Sequence, residues 1–179
     1  MEFWNQIGET DKTISKCKEL VNSPIANNTK LLYLHGQALY YSGKTDAGKF
    51  LWRKVLAEDP DMKLAQMAIR NGKKMEDVKE EANALFKEGK LDETLDKYNE
   101  IIALDPHNRF FNSKIYGNIS TIYIKKNDLK NALKFINKSV DYDKKFAKGF
   151  FKRAEINTML ENWEDADRDY RTANGLDST

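Results

Sequence analysis

The stretch VKEEANALFKEGKLDETLDKYNEIIALDP, Val78 to Pro106, carries two apolar patterns separated by a polar break. Val78, Ala82, Leu85 and Phe86 recur at three- and four-residue steps, and so do Leu91, Leu95, Tyr98, Ile101 and Ile102. That spacing puts one apolar stripe on each of two helices joined through Lys87-Glu88-Gly89-Lys90. Strand-like alternation is nearly absent. The closing Asp105-Pro106 has a counterpart at Asp59-Pro60, which opens a search for repetition. Counting back from the two prolines, Gly36 matches Ala82 and Gly43 matches Gly89. The same frame runs on through Ser120, Asn127-Asp128, Ala132 and Ser139, then Ala154, Asn162, Ala166 and Ala173. Small residues at these places let paired helices approach closely, while Tyr98, Ile136 and Tyr170 fill the space beside them. The chain therefore reads as four helix pairs of about 34 residues each.

Composition agrees with a folded, all-α protein. The 179 residues hold 40% apolar side chains, with three Trp, eight Tyr and nine Phe, enough for a core and unlike a disordered segment. Thirty Lys and Arg face 28 Asp and Glu, a net charge of +2, which argues against nucleic-acid binding driven by charge. A single cysteine, Cys17, excludes an internal disulfide and fits a reducing compartment. Met1-Glu2-Phe3-Trp4 lacks the basic start and apolar run of a signal peptide, so the expected location is cytoplasmic, with the nucleus also open. His35 and His107 are the only histidines, and no Cys-x-x-Cys, His-Glu-x-x-His, Walker or EF-hand pattern occurs. No enzyme, no metal and no cofactor is expected. The carboxylates alternate with lysines at helical spacing, as solvated faces do.

The repeated frame resembles the tetratricopeptide repeat over residues 29–60, 75–108, 113–146 and 147–174, and the resemblance implies a right-handed helical solenoid. Thr94, Ile101 and Lys144 depart from that family's preferences without breaking a helix. Four residues inserted after Pro106 imply a longer turn or a helix extended through Asn108-Arg109-Phe110-Phe111. Thr10 to Val21 looks like the second helix of a degraded unit, with Asn22-Ser23-Pro24 as its stop and a first helix missing or very short. Asp61 to Gly72 adds a bridging helix. Two domains follow: 1–72, with a joint near Asn71-Gly72, and a three-repeat domain over 73–179. Trp52, Tyr98, Phe135 and Tyr170 are expected in the core.

Five polar residues fall on the first helices of successive units, which line one groove in a stacked array of helix pairs. Lys79 and Asn83 share a face, Asn118 follows one unit on, and Lys148 and Lys152 share a face in the next. Two lysines at that spacing repel, and a broken local rule often marks a site. The strings Lys79-Glu80-Glu81-Ala82-Asn83, Tyr116-Gly117-Asn118 and Lys148-Gly149-Phe150-Phe151-Lys152 resemble the dicarboxylate clamp of heat-shock co-chaperones. The resemblance implies that Lys79, Asn83 and Asn118 hold a terminal carboxylate, Lys148 the last Asp side chain and Lys152 the residues before it. Phe86 and Phe150 adjoin the groove as possible apolar contacts. The 29–72 lobe has Leu32, Tyr33 and Gly36 at comparable places and no complete clamp.

Glu81 to Lys90, Ala147 to Ala154 and Gly36 to Tyr41 together are similar to DnaJ-type co-chaperones of the subfamily C member 7 type. That likeness implies binding to C-terminal Glu-Glu-Val-Asp tails of Hsp70 and/or Hsp90, with no nucleic acid and no membrane as partner. No His-Pro-Asp signature occurs, so J-domain activity is not assigned; a repeat portion of a longer protein, or a shortened relative, is expected. The alternatives are a repeat scaffold binding an internal helix or another protein, or the repeat part of a larger enzyme.

Overall fold

A computed structural model of the chain describes residues 1–20 and 28–177, and these form ten helices and no strand. In order they are α1 (Glu2–Gln6), α2 (Thr10–Glu19), α3 (Thr29–Tyr41), α4 (Thr45–Glu58), α5 (Lys63–Lys87), α6 (Leu91–Leu104), α7 (Arg109–Lys125), α8 (Leu129–Tyr142), α9 (Ala147–Met159) and α10 (Trp163–Asp177). Antiparallel pairs α3/α4, α7/α8 and α9/α10 pack along their lengths. The all-α expectation and the pairing frame hold. The expected stop at Asn22-Ser23-Pro24 lies outside the described residues.

Each unit turns at the same place in the frame, and each turn uses a residue in the left-handed region: Gly43 (φ 89°), Gly89 (φ 77°), Asn127 (φ 58°) and Glu161 (φ 61°). Glycine enters that region without steric cost and asparagine enters it more readily than most residues. Glu161 is the exception. Sequence matching had pointed to neighbouring Asn162, yet the chain bends one residue earlier. Caps add local definition: Asn28 Oδ1 accepts from the backbone N–H of Lys30 and Leu31 at 3.0 and 3.2 Å, and Asp128 Oδ1 from that of Asn131 at 3.0 Å.

The chain divides into two compact units, Met1–Glu80 with Ala103–Asn108, and Glu81–Ile102 with Arg109–Thr179. Helix α5 runs unbroken through Asn71 and Gly72, so the bridging helix and the first helix of the second repeat are one 25-residue element. Gly72 has another purpose. A Cβ on it would stand 3.0 Å from the Tyr40 hydroxyl, so its smallness serves packing. After Pro106 the chain takes the extended-helix alternative, with α7 starting at Arg109.

In the first unit α3 and α4 touch backbone to backbone. A Cβ on Gly48 would lie 2.6 Å from the Gly36 carbonyl oxygen, and one on Gly36 2.9 Å from the Trp52 ring. Trp52 Nε1 donates to the Tyr33 carbonyl at 3.2 Å, which satisfies a buried indole. The core of the second unit gathers Ala132, Ile136 and Ile156, with Val140, Phe150 and Ala173 in a neighbouring cluster. Thr94, fully buried where a small residue was expected, donates its hydroxyl to the Lys90 carbonyl at 2.7 Å. Trp52 and Tyr98 are buried as expected; Phe135 and Tyr170 are half-buried, the former stacked 5.3 Å from Tyr123 and the latter edge-on to Phe151 at 6.0 Å.

Candidate functional site

The second unit brings Asn83 and Asn118 to one phenol. The Tyr98 hydroxyl donates to Asn83 Oδ1 at 3.3 Å. Burial raises its pKa, and a hydrogen bond from Asn118 pulls the other way. Tyr98, expected only to fill space, therefore links the side chains that α5 and α7 contribute. With its Oδ1 engaged as an acceptor, the remaining polar group of Asn83 is the Nδ2 donor.

One turn beyond Asn118 on α7 stands Thr121, and its hydroxyl accepts a hydrogen bond from Lys152 Nζ on α9. Thr121 is itself held by the Gly117 carbonyl at 3.1 Å. The Lys152 ammonium is thus fixed on the same face of α7 that carries Asn118. Desolvation lowers its pKa, and Glu155 offsets part of the effect. Lys148 lies one turn earlier on α9 and is exposed. Lys79 precedes Asn83 by one turn on α5 and is half-buried.

The aromatic neighbours separate. Phe86 is half-buried with Lys125 Nζ 4.4 Å above its ring, a cation–π contact on the α5–α7 side. Phe150 is only 8% exposed and packs against Val140 and Ala173, so its place is in the core and not in the groove. Arg153 is committed as well: its Nε and Nη2 grip both oxygens of buried Asp169 at 2.7 and 2.6 Å, and Nη1 reaches Asn137 at 3.1 Å. That fork ties α9 to α10 and α8. It stabilises the scaffold beneath the lysines.

Among the described residues, no cluster of three metal-ligating side chains occurs, and no helix is long and apolar enough to cross a membrane. His35 has its pKa lowered by burial and by Lys18, and burial raises that of the Cys17 thiol.

The paired helices, the shared turn frame and the face carrying amides and lysines define a tetratricopeptide-repeat protein, and residues 113–146 match that family. Its repeat region is homologous to that of DnaJ subfamily C member 7: the Schizosaccharomyces pombe "DnaJ homolog subfamily C member 7 homolog" is 31% identical over 152 residues, covering 85% of this chain. The chain spans 32% of that relative's length. Among solved structures, the "Second TPR of Spaghetti (RPAP3) bound to HSP90 peptide SRMEEVD" matches with TM-score 0.53 and 27% identity over 61% of this chain and 97% of that one. The P58(IPK) TPR domain shares the fold, with TM-score 0.63 and 22% identity over 96% of this chain and 48% of that one.

Proposed function

We propose that this chain is a non-catalytic co-chaperone adaptor whose 73–179 region captures the acidic Glu-Glu-Val-Asp tail of Hsp70 and/or Hsp90. The observation that carries the reading is Lys152 Nζ held on Thr121, one turn from Asn118 on α7, together with the Tyr98 hydroxyl on Asn83 Oδ1, which leaves amide donors and an ammonium on the helix faces of the second unit. The likeness to a repeat domain bound to an HSP90 peptide supports it. In this reading Lys79, Asn83 and Asn118 hold the terminal carboxylate and Lys148 the last Asp side chain. Lys152 meets the preceding residues.

The chemistry suits an anion. Lys152 is partly stripped of water before any ligand arrives, so a carboxylate gains more from it than from a solvated lysine. Charge-assisted hydrogen bonds of roughly 1.5–3 kcal/mol each reach the roughly 8 kcal/mol of micromolar binding, less the cost of ordering a flexible tail. Affinity near micromolar is expected. Lysine at 152 approaches as a point charge and lacks the two-pronged contact of arginine.

Isothermal titration with a Glu-Glu-Val-Asp peptide, free and C-terminally amidated, tests the proposal. Amidation should weaken binding strongly, and Lys79→Ala and Lys148→Ala should each cost about tenfold, roughly 1.4 kcal/mol. Equal binding of both peptides would sink it, and partner capture indifferent to both lysines would favour a scaffold that ignores this face. Such tails are cytosolic ligands, so the proposed location is cytoplasmic; imaging of the tagged chain inside an organelle would contradict that.

A further inference from the structure

The first unit holds a cavity of about 140 Å³ whose lining differs in kind from the amide and lysine face. Tyr33, Tyr40, Tyr41 and Trp52 supply four aromatic rings, and Asp105, brought in by the Ala103–Asn108 segment, supplies a carboxylate. Tyr41 Oη donates to Asp105 Oδ1 at 2.7 Å, and the Asn108 side chain and the His107 backbone also hydrogen-bond this carboxylate, which together position the acid. Among the described residues, no lysine or arginine lines this cavity. Leu64 and Met67, each 47% exposed on α5, stand at its edge. The volume is close to the roughly 150 Å³ that accepts a benzene-sized group.

We infer that this cavity receives the basic head group of a lysine or arginine from a partner polypeptide, its charge facing Asp105 and the aromatic rings and its alkyl stem lying along Leu64 and Met67. Each part of the lining suits one part of such a side chain. A desolvated cation is attracted both by a carboxylate and by the electron-rich faces of tyrosine and tryptophan. Long basic side chains also bury their methylenes on apolar surface. The field inside is negative: after burial itself, the charge of Asp105 helps raise the pKa of Tyr33 and of Tyr41, and those of Glu76 and then Asp105 help raise that of Tyr40, pushed up to about 12. Burial likewise raises the pKa of Asp105, and an incoming cation would relieve that cost. An acidic tail fits none of these features.

The test uses the full chain and three capped peptides, Ala-Ala-X-Ala-Ala with X as lysine, arginine or norleucine, followed by two-dimensional NMR. The lysine and arginine peptides should shift the Trp52 indole N–H and the Asn71 side-chain amide, with norleucine roughly tenfold weaker. Asp105→Asn keeps an acceptor for Tyr41 and should erase the preference for charge. Leu64→Lys, at an exposed site, tethers a competing ammonium at the rim and should weaken the lysine peptide roughly fivefold while the helical circular dichroism stays intact. No shift at Trp52, equal binding of norleucine, or a preference that survives Asp105→Asn would each overturn the inference. Acidic-tail binding should not respond to Leu64→Lys, so the two sites succeed or fail separately.

Discussion

The first unit keeps its polar chemistry among aromatic rings, whereas the second sets it out along the faces of α5, α7 and α9. In the first, Asp105 sits with three tyrosines and a tryptophan. In the second, the Tyr98 hydroxyl holds Asn83 Oδ1, and Lys152 is held on Thr121, one turn from Asn118 on α7. Both units use the same helix pairs and turns. What differs is the identity of a few inward positions, so one scaffold presents a carboxylate in one place and ammonium groups in another.

The largest effect separating the units should come from Asp169→Ala. Removing this carboxylate strands Arg153 against α10, at a cost of about 3 kcal/mol, the low end for a buried pair because Arg153 remains 24% exposed. Chemical denaturation of the full chain, followed by a probe in the second unit, reads it; a loss under about 1 kcal/mol would place the pair among ordinary surface bridges. In the first unit Gly48→Ala drives a methyl into the Gly36 carbonyl and should cost about 2 kcal/mol, measured the same way.

Lys152→Ala should weaken the acidic tail about tenfold, roughly 1.4 kcal/mol, and leave lysine-peptide binding unchanged. Its pH dependence sharpens the contrast. Burial lowers the Lys152 pKa and a bound carboxylate raises it again, so tail affinity should be flat below the lowered value and fall as pH rises through it. The stability sign is opposite. A lysine whose pKa is lower in the folded state binds more protons when unfolded, so its burial opposes folding at neutral pH, and the opposition fades as pH climbs through the folded value. Titrations across the alkaline range check both.

Smaller effects concern the turns and helix contacts. Glu161→Gly should stabilise by about 1 kcal/mol, because a side chain other than glycine is disfavoured at φ 61°. Gly117→Ala should be neutral or gain up to about 0.8 kcal/mol, since its new methyl meets Phe146 and Ser139 at an ordinary 3.5 Å. Thermal unfolding distinguishes these outcomes. A Gly117→Ala protein as damaged as Gly48→Ala would show that the two units share one tight packing rule after all.

Much of the fold was legible in the residues because a helix pair repeats its own requirements: apolar steps of three and four, small residues where helices touch, and a turn former between them. One glycine carries a demand that no local pattern shows. Gly72 suggested a joint, yet the demand on it comes from Tyr40, 32 positions away in the sequence. Phe150 shows the same limit, since only packing against Val140 and Ala173 sends it inward. Asn83, Asn118 and the two lysines of α9 could be singled out because helical spacing fixes which residues share a face. Their mediators could not. Tyr98 carries no mark that distinguishes a core phenol from one bridging two amides, and Thr121 is 31 residues from the lysine it receives.

Periodicity and turn chemistry alone thus determined that the chain forms stacked helix pairs and which stripe of each helix is polar, because these depend on neighbours within a few residues. Only the tertiary structure decided that Asp105 joins the tyrosines of α3, that Arg153 is spent on Asp169, and that Lys152 bonds Thr121. Those outcomes require groups distant along the chain to meet within hydrogen-bonding range, and helical periodicity carries no record of such meetings.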